Sequence, residues 1–389
     1  MEISNLSSTF DVIIVGSGPS GSTAAFKLAE NGYKVLILEK VILPRYKTCG
    51  GGIVGRIKNI LPFEFDEVIE KKCYSAIVFD HQSGLKFLTK RNEPIIMMTM
   101  RNNFDDFLLS KAKSIGVIVK DKCEVINITE NEDGIEIKTQ NETFNCKFLI
   151  GSDGANGIVS KKINSRENLL KLPALEYEVY VDQNNFDKFS DKARFDFGII
   201  KNGYAWVFPK KDHLSIGIIS MKKSEDKLKD ILDNYFKILG INNIIKIEKH
   251  GFFIPIANNR KKVADNRILL TGDSAGIADP VTAEGISNAI YSGLLAAEAL
   301  IYNKLDKESV ATYYNKIIFT KIFYENKYSN IIAKLVYRYP KVRFLLFRFY
   351  GQRLSEVITD IFIGKNKYSS LLKSPSNYLK LIKYFFSSM

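Results

Sequence analysis

Phe10 to Val15, FDVIIV, is a short apolar run rich in β-branched residues, the pattern of a buried strand. GSGPSG follows, then SGSTAAFKLAENG with apolar residues at helical spacing and a stop at Gly32, then the apolar run KVLILEK. Strand, glycine turn, helix and strand in that order predict a βαβ unit. A helix is predicted around Asn103 to Ser114, and the alternating segments CEVINITE, GIEIKTQ and TFNCKFLIGSDG predict short strands. Residues 165–260 read as strands and loops in YEVYV, ARFDFGII, GYAWVFP and HLSIGII, with one helix near Lys222 to Leu239. RILLTGD is a strand with a polar end, and a long helical pattern runs from Glu284 to about Asn303. The remainder is helical and basic. There is no internal repeat and no low-complexity linker, so the pattern predicts an α/β chain whose domains are interleaved.

With 389 residues and 46% apolar content the chain can bury a substantial core. No stretch of about 18 uncharged apolar residues occurs, and MEISNLSSTF has neither a charged n-region nor an apolar h-region. The expectation is a cytoplasmic protein without a transmembrane span or signal peptide. Cys49, Cys73, Cys123 and Cys146 are scattered without a CxxC, and His81, His213 and His250 are equally isolated. A zinc site, a disulfide framework and a His-based triad are not expected.

The formal charge is +13, and Ile331 to Met389 carries eleven Lys/Arg against two acids, Glu356 and Asp360. The same segment holds Tyr337, Tyr339, Phe344, Phe347, Phe349 and Tyr350, then Tyr384, Phe385 and Phe386. Basic residues interleaved with aromatics on helices suit the membrane surface better than nucleic acid, because rings enter the headgroup boundary while Lys/Arg meet phosphates. The plainer alternative is that these aromatics close the core and the lysines are solvated.

Gly16, Gly18 and Gly21 form GxGxxG, with Pro19 and Ser20 opening the helix and Glu39, followed by Lys40, closing the second strand. Gly16 permits the tight turn, Gly18 lets backbone approach a pyrophosphate, and Gly21 allows helix and strand to pack closely. The helix N-terminus offers unpaired N–H groups to phosphates. Glu39 is the expected acceptor for an adenosine ribose. In this context the fingerprint predicts a dinucleotide site, NAD or FAD.

Asp153-Gly154 ends one strand, and Gly272-Asp273 ends another, followed by SAGIADPVTAEGISNAI. With the fingerprint, these resemble the three cofactor motifs of FAD-dependent monooxygenase-like flavoproteins, the group that includes p-hydroxybenzoate hydroxylase. The resemblance implies that Asp273 lies near the ribityl and pyrophosphate part of FAD, and that Pro280 and the backbone around Glu284 and Gly285 approach the flavin pyrimidine. It matches Arg101 to an arginine that reaches the cofactor; an ion pair with Asp105 or Asp106 is the alternative. PRYKTCGGG (44–52), GYAWVFPK (Gly203 to Lys210) and GDSAGIADPVTAEGI narrow the resemblance to the geranylgeranyl reductase family, whose members saturate isoprenoid double bonds. It covers about residues 10 to 300. Ala283 departs from it, standing where glycine usually precedes Glu-Gly.

The resemblance implies a Rossmann-like FAD-binding domain (1–74, 99–165 and 262–305), interleaved with a mixed-sheet substrate domain (75–98 and 166–261), and a helical C-terminal region (306–389). FAD is the implied cofactor and a prenylated lipid or quinone the implied substrate. NAD(P)H or a reduced redox protein is the expected electron donor, since no second fingerprint is present. The enzyme is expected at the inner face of a membrane, held by its basic C-terminal region. Alkene reduction needs a proton beside the hydride, and Cys49 and Tyr204 are the candidate donors. Gly50, Gly51 and Gly52 let the loop pass close under the flavin, and Arg45 is a candidate partner for a phosphate or headgroup. Tyr204, Trp206 and Phe208 alternate, so on a strand they share one face, a candidate wall for the prenyl chain. Flavin-dependent monooxygenation, a membrane-associated electron-transfer flavoprotein and a lipid carrier are the competing functions. Halogenation is disfavoured because GYAWVFPK lacks a WxWxIP segment.

Overall fold

The computed structural model describes residues 9–163, 169–222, 227–257 and 260–373. The first strand, Phe10–Val15, lies between Val35–Leu38 and Thr143–Gly151, parallel to both, with Val12 opposite Val35 and Phe148. Ile118–Lys120 and Ile268–Leu270 extend this sheet in parallel on either side. Strands buried on both faces read as unbroken apolar runs, which is why FDVIIV and KVLILEK show no alternation. Val15, Leu38, Gly151 and Leu270 all end at the same edge of the sheet. Gly16, Glu39, Ser152-Asp153 and Gly272-Asp273 therefore converge on one crevice, the place where open parallel sheets bind ligands.

A second sheet of seven strands carries Leu170–Val181, Leu214–Ser220, Gly203–Pro209, Ala193–Phe197 and Ser75–Asp80 side by side. One face packs under the helix Leu228–Leu239 through Leu232, Tyr235 and Phe236, together with Val207 and Ile216. Tyr204, Trp206 and Phe208 project from the other face. A small sheet in which Gly52–Val54 and Lys71–Cys73 flank Ile96–Met98 stitches the two larger ones together.

Three helix starts differ from the pattern. The helix expected from Asn103 begins at Arg101. The helix expected from Lys222 is seen from Leu228, and residues 223–226 lie outside the described ones. The helix expected from Glu284 begins at Ile286, because the Glu284 carboxylate folds forward to accept the Ser287 N–H at 2.7 Å. That caps one unpaired donor of the first turn.

In the C-terminal segment two of the aromatics follow the plainer alternative and close the core. Tyr337 and Phe347 are 4% and 6% exposed, so they belong to the core rather than to a lipid-facing surface. Tyr337 stacks on Phe197 with centroids 6.0 Å apart, and Phe347 meets the Phe87 ring edge-on at 5.9 Å. The helix Pro340–Phe362 lies on Leu85–Lys90; a Cβ at Gly351 would stand 2.0 Å from Phe87, so only glycine admits that ring. Arg343, 1% exposed, ion-pairs with the equally buried Asp80 at 3.6 Å. Tyr384, Phe385 and Phe386 lie outside the described residues. Among the described residues no helix is long and apolar enough to cross a membrane.

Candidate active site

A cleft of 490 Å³ runs along the crevice of the parallel sheet and continues over the aromatic face of the second. Gly16 turns with φ +103°, and a Cβ there would stand 2.3 Å from Ser152 O. Gly21 lies so close to the first strand that its Cβ would meet Gly16 O at 2.1 Å; it packs the helix and does not line the cleft. Gly18, Pro19 and Ser20 do line it. The helix Pro19–Glu30 has no side-chain cap and no acid in its first turn, so its N–H groups stay available to an anion.

Glu39 is 5% exposed and accepts hydrogen bonds from Ser17 N at 3.0 Å and Ser17 Oγ at 2.8 Å. Arg45 lies 3.6 Å from Glu39 and 3.4 Å from Asp105. Arg101 holds the same Asp105 with two 2.9 Å bonds, which is the alternative expected from its sequence, while still reaching the cleft. Asp105 and Glu39 orient the two arginines, both of which line the cleft, where guanidinium groups suit a diphosphate.

Asp153 accepts from Val159 N at 2.9 Å and Ser274 Oγ at 2.7 Å, which fixes Gly154 beside the turn. Burial raises the carboxyls of both Asp153 and Asp273 above the ordinary range, opposed at Asp273 by Lys47 and Arg101. Lys40, Gly272, Asp273, Glu284 and Gly285 line the cleft, whereas Pro280 is buried behind it. Behind Pro280, Asp279 ties the 279–285 loop to itself and to the C-terminal helices. It accepts from Val281 N and Thr282 N, each at 2.8 Å, from Ser329 at 3.1 Å and from Tyr368 at 3.3 Å. Ala283 sits in this loop at φ +56°, a left-handed conformation that glycine adopts without strain.

The Cys49–Gly52 turn lies against the aromatic wall. A Cβ at Gly50 would meet Trp206 Nε1 at 2.9 Å, and one at Gly52 would meet Phe208 at 3.1 Å. Gly51, at φ +64°, would drive a Cβ to 2.1 Å from Thr99 O. The Cys49 Sγ accepts the Gly51 N–H at 3.4 Å. Tyr204 donates its hydroxyl to Thr282 O, so its proton is committed to the backbone of the 279–285 loop.

Sequence reasoning left Lys210 and Lys47 without a role. Lys210 is fully buried, and its Nζ donates to Gly50 O at 2.9 Å and Thr99 O at 2.7 Å, pinning the turn from behind. Lys47 lies 3.3 Å over the Phe252 ring in the cleft, and burial pulls it down to about 8 against the pull of Asp273. The charge of PRYKTCGGG was visible in sequence, but both carbonyl partners of Lys210 are remote from it in the chain.

Bare turns at Gly16 and Gly51, an uncapped helix start and a buried ribose-type acceptor at Glu39 fit a flavin dinucleotide. The sequence matches the FAD binding domain family over residues 9–304. It is 36% identical over 292 residues to an uncharacterised protein of Methanosarcina barkeri, spanning 75% of this chain and 74% of that one. It is 28% identical over 405 residues to a digeranylgeranylglycerophospholipid reductase of Methanosphaera stadtmanae, spanning 96% and 98%. The fold is that of a geranylgeranyl bacteriochlorophyll reductase-like protein from Thermoplasma acidophilum, with a TM-score of 0.78 and 23% identity over 96% of this chain and 99% of that one. Fingerprint, crevice and family match agree: the chain belongs to the FAD binding domain family of oxidoreductases and is similar to proteins named as geranylgeranyl-type reductases.

Proposed function

We propose that this enzyme saturates carbon–carbon double bonds of a polyprenyl group carried on a lipid or quinone. The observation that carries the proposal is the contact between the Cys49–Gly52 turn and the face of Tyr204, Trp206 and Phe208, which brings the cofactor loop and an apolar wall together. Bound FAD, once reduced, would supply the hydride, which carries both electrons that alkene saturation requires. Gly16, Gly18, Ser20, Glu39 and Asp273 hold it, and Arg45 and Arg101 balance its diphosphate. Ile96, Phe195 and Phe362 extend the apolar lining and exclude water from the prenyl chain. Cys49 lines the cleft beside this wall, where it shapes the pocket. The committed hydroxyl of Tyr204 makes that residue a wall and a support for the 279–285 loop.

The test is anaerobic: reduce the FAD-loaded protein with dithionite, add a geranylgeranyl ether lipid in detergent micelles, and follow flavin absorbance and lipid mass. Reoxidation coupled to a gain of two hydrogens per bond is expected. Product formed only with oxygen points to a monooxygenase, and reoxidation only with a second redox protein to an electron carrier. Cys49→Ala is expected to keep its flavin and slow this reoxidation about tenfold, below the roughly 10² expected of a proton donor and in keeping with a residue that shapes the pocket; loss of flavin would limit Cys49 to cofactor binding.

The substrate reaches the cleft from a membrane surface in this proposal. Lys341, Phe344, Leu345, Arg348 and Phe349 are exposed on the helix whose far end, Phe362, lines the cleft. Their helical spacing places rings and cations on one stripe. Removing the whole segment from Ile331 would also remove Tyr337 and Phe347 from the core, so point changes are the cleaner probe. Phe344→Ser with Phe349→Ser is expected to weaken binding to anionic vesicles by about tenfold or more, since full burial of one such ring contributes roughly 1.5–3 kcal/mol. Unchanged cosedimentation would remove this helix from the membrane contact.

A further inference from the structure

Beside the aromatic wall, the same face of the sheet carries a row of buried polar groups. Pairing places Glu176 across Gly217 from Trp206, and Glu178 across Ser215 from Phe208. Gly217 has no side chain because the Trp206 ring covers it; a Cβ there would stand 2.0 Å from the ring. The indole therefore extends over Gly217 toward Glu176, which is 1% exposed and lines the cleft.

We propose that Glu176 is the proton donor of the reduction and that Tyr46, Glu178 and His213 form the path that refills it from solvent. The proposal rests on the prenyl-reduction reading above. Tyr46, which also lines the cleft, donates to Glu176 Oε2 at 2.9 Å and lies 3.5 Å from Glu178 Oε1. Ser215 Oγ donates to Glu176 Oε1 at 2.9 Å and lies 3.5 Å from Trp206 Nε1. His213 Nε2 is 3.1 Å from Glu178 Oε2, and its Nδ1 is 2.7 Å from Asp212, whose side chain is 69% exposed. The chain of groups thus runs from bulk water to the cleft without a gap.

Two carboxylates that share one tyrosine hydroxyl in a dry site cannot both ionise cheaply, so the pair retains a proton. Charged and titratable groups face Glu176 from every element around it: Glu178 on its own strand, Lys210 beyond the aromatic strand, Tyr46 from the cofactor loop and His213 next to Ser215. His250 lies opposite on the neighbouring strand, with Tyr46 stacked on its ring at 4.1 Å. Burial and then Glu178 push Glu176 up to about 8, outweighing Lys210, Ser215 and Tyr46. Burial alone would lower His213, but its bonds to Glu178 and Asp212 outweigh burial and raise it.

In the step itself the alkene π bond breaks and two C–H bonds form. One carbon takes the hydride that comes with reduced FAD; the other takes the proton of the Glu176 carboxyl, whose O–H bond breaks to leave the carboxylate. A proton taken up from solvent at His213 passes to the Glu178 carboxylate and from it to Tyr46, which hands its own hydroxyl proton to the Glu176 carboxylate, so each group ends as it began and one solvent proton is consumed. Because the folded protein holds this proton and the unfolded chain releases it near 4.5, stability falls as pH rises from that value to about 8.

Two measurements test the assignment. Infrared titration of the oxidised, FAD-loaded enzyme is expected to show a protonated-carboxyl C=O stretch that persists to about pH 8 and is absent in Glu176→Gln. A band lost in the ordinary carboxylate range overturns the proposal. In single-turnover reoxidation with the geranylgeranyl ether lipid, the wild-type rate is expected to fall above about pH 8. Glu176→Gln, with normal flavin content and melting, is expected to be about 10²-fold slower and to lack that alkaline fall. A variant with the wild-type rate and pH profile overturns the proton donor while leaving prenyl reduction intact. Wild-type enzyme that leaves the lipid unreduced, with the infrared band in place, overturns prenyl reduction and with it the step assigned to Glu176.

Discussion

Gly51→Ala is expected to lower prenyl reduction by at least about 10²-fold and to destabilise the protein. The residue has φ +64°, where an L side chain costs roughly 1–2 kcal/mol. Space adds more than strain, because the new Cβ would stand 2.1 Å from Thr99 O and 2.3 Å from Lys210 Nζ. The turn must then move, and moving it separates the buried Lys210 ammonium from Gly50 O and Thr99 O. A displacement of about 1 Å at a reacting centre costs on the order of 10²-fold in rate. Gly84→Ala is the control: its φ is +71° but a Cβ there meets nothing within 4 Å, so only backbone strain is added. Single-turnover rates and denaturant midpoints for both variants decide the matter; equal behaviour of the two would mean that the Gly51 turn does not set the geometry of the cleft.

Arg343→Met is expected to cost about 3–5 kcal/mol of stability, the usual effect of leaving one member of a buried ion pair alone. Arg343 and Asp80 are each 1% exposed, and Arg343 Nη2 also donates to Gln82 at 2.8 Å. Methionine fills the space but leaves buried Asp80 with the Ser83 hydroxyl at 2.6 Å and no guanidinium. Asp80→Asn in the same chain removes the stranded charge, so the double variant is expected to recover most of the loss. Urea titrations of the single and double variants measure this, and a single variant within about 1 kcal/mol of wild type would show that the pair does not fasten the C-terminal helix to the sheet.

Local features were legible in the sequence and remote ones were not. The βαβ unit could be read because Gly16, Gly18, Gly21 and Glu39 act within one short segment. The shared face of Tyr204, Trp206 and Phe208 followed from strand alternation alone. Alternation tells that two faces differ, but not which one meets water. On the strand Leu170–Val181 the acids Glu176 and Glu178 lie on a side that turns inward, where Tyr46, 130 residues from Glu176 along the chain, covers it. Lys210 was equally opaque, since its Gly50 partner lies 160 residues away. The C-terminal aromatics show the same limit: Phe344 and Phe347 differ by three positions, one exposed and one core, and only the packing of Phe87 and Gly351 separates them.

The order of strands in the parallel sheet sets a timetable for biosynthesis. Phe10–Val15 is made first but sits in the middle, and its partner Thr143–Gly151 is synthesised more than a hundred residues later. Ile268–Leu270 and the helix Ile286–Tyr302, which packs on the helix after the glycine turn, come later still. Contacts so distant along the chain form slowly and leave early strands exposed while they wait. A ribosome-bound chain that ends before Ile268 lacks one wall of the dinucleotide crevice, so flavin capture waits until Ile268–Leu270 has been made, and nascent chains stalled earlier are the ones most in need of chaperone cover.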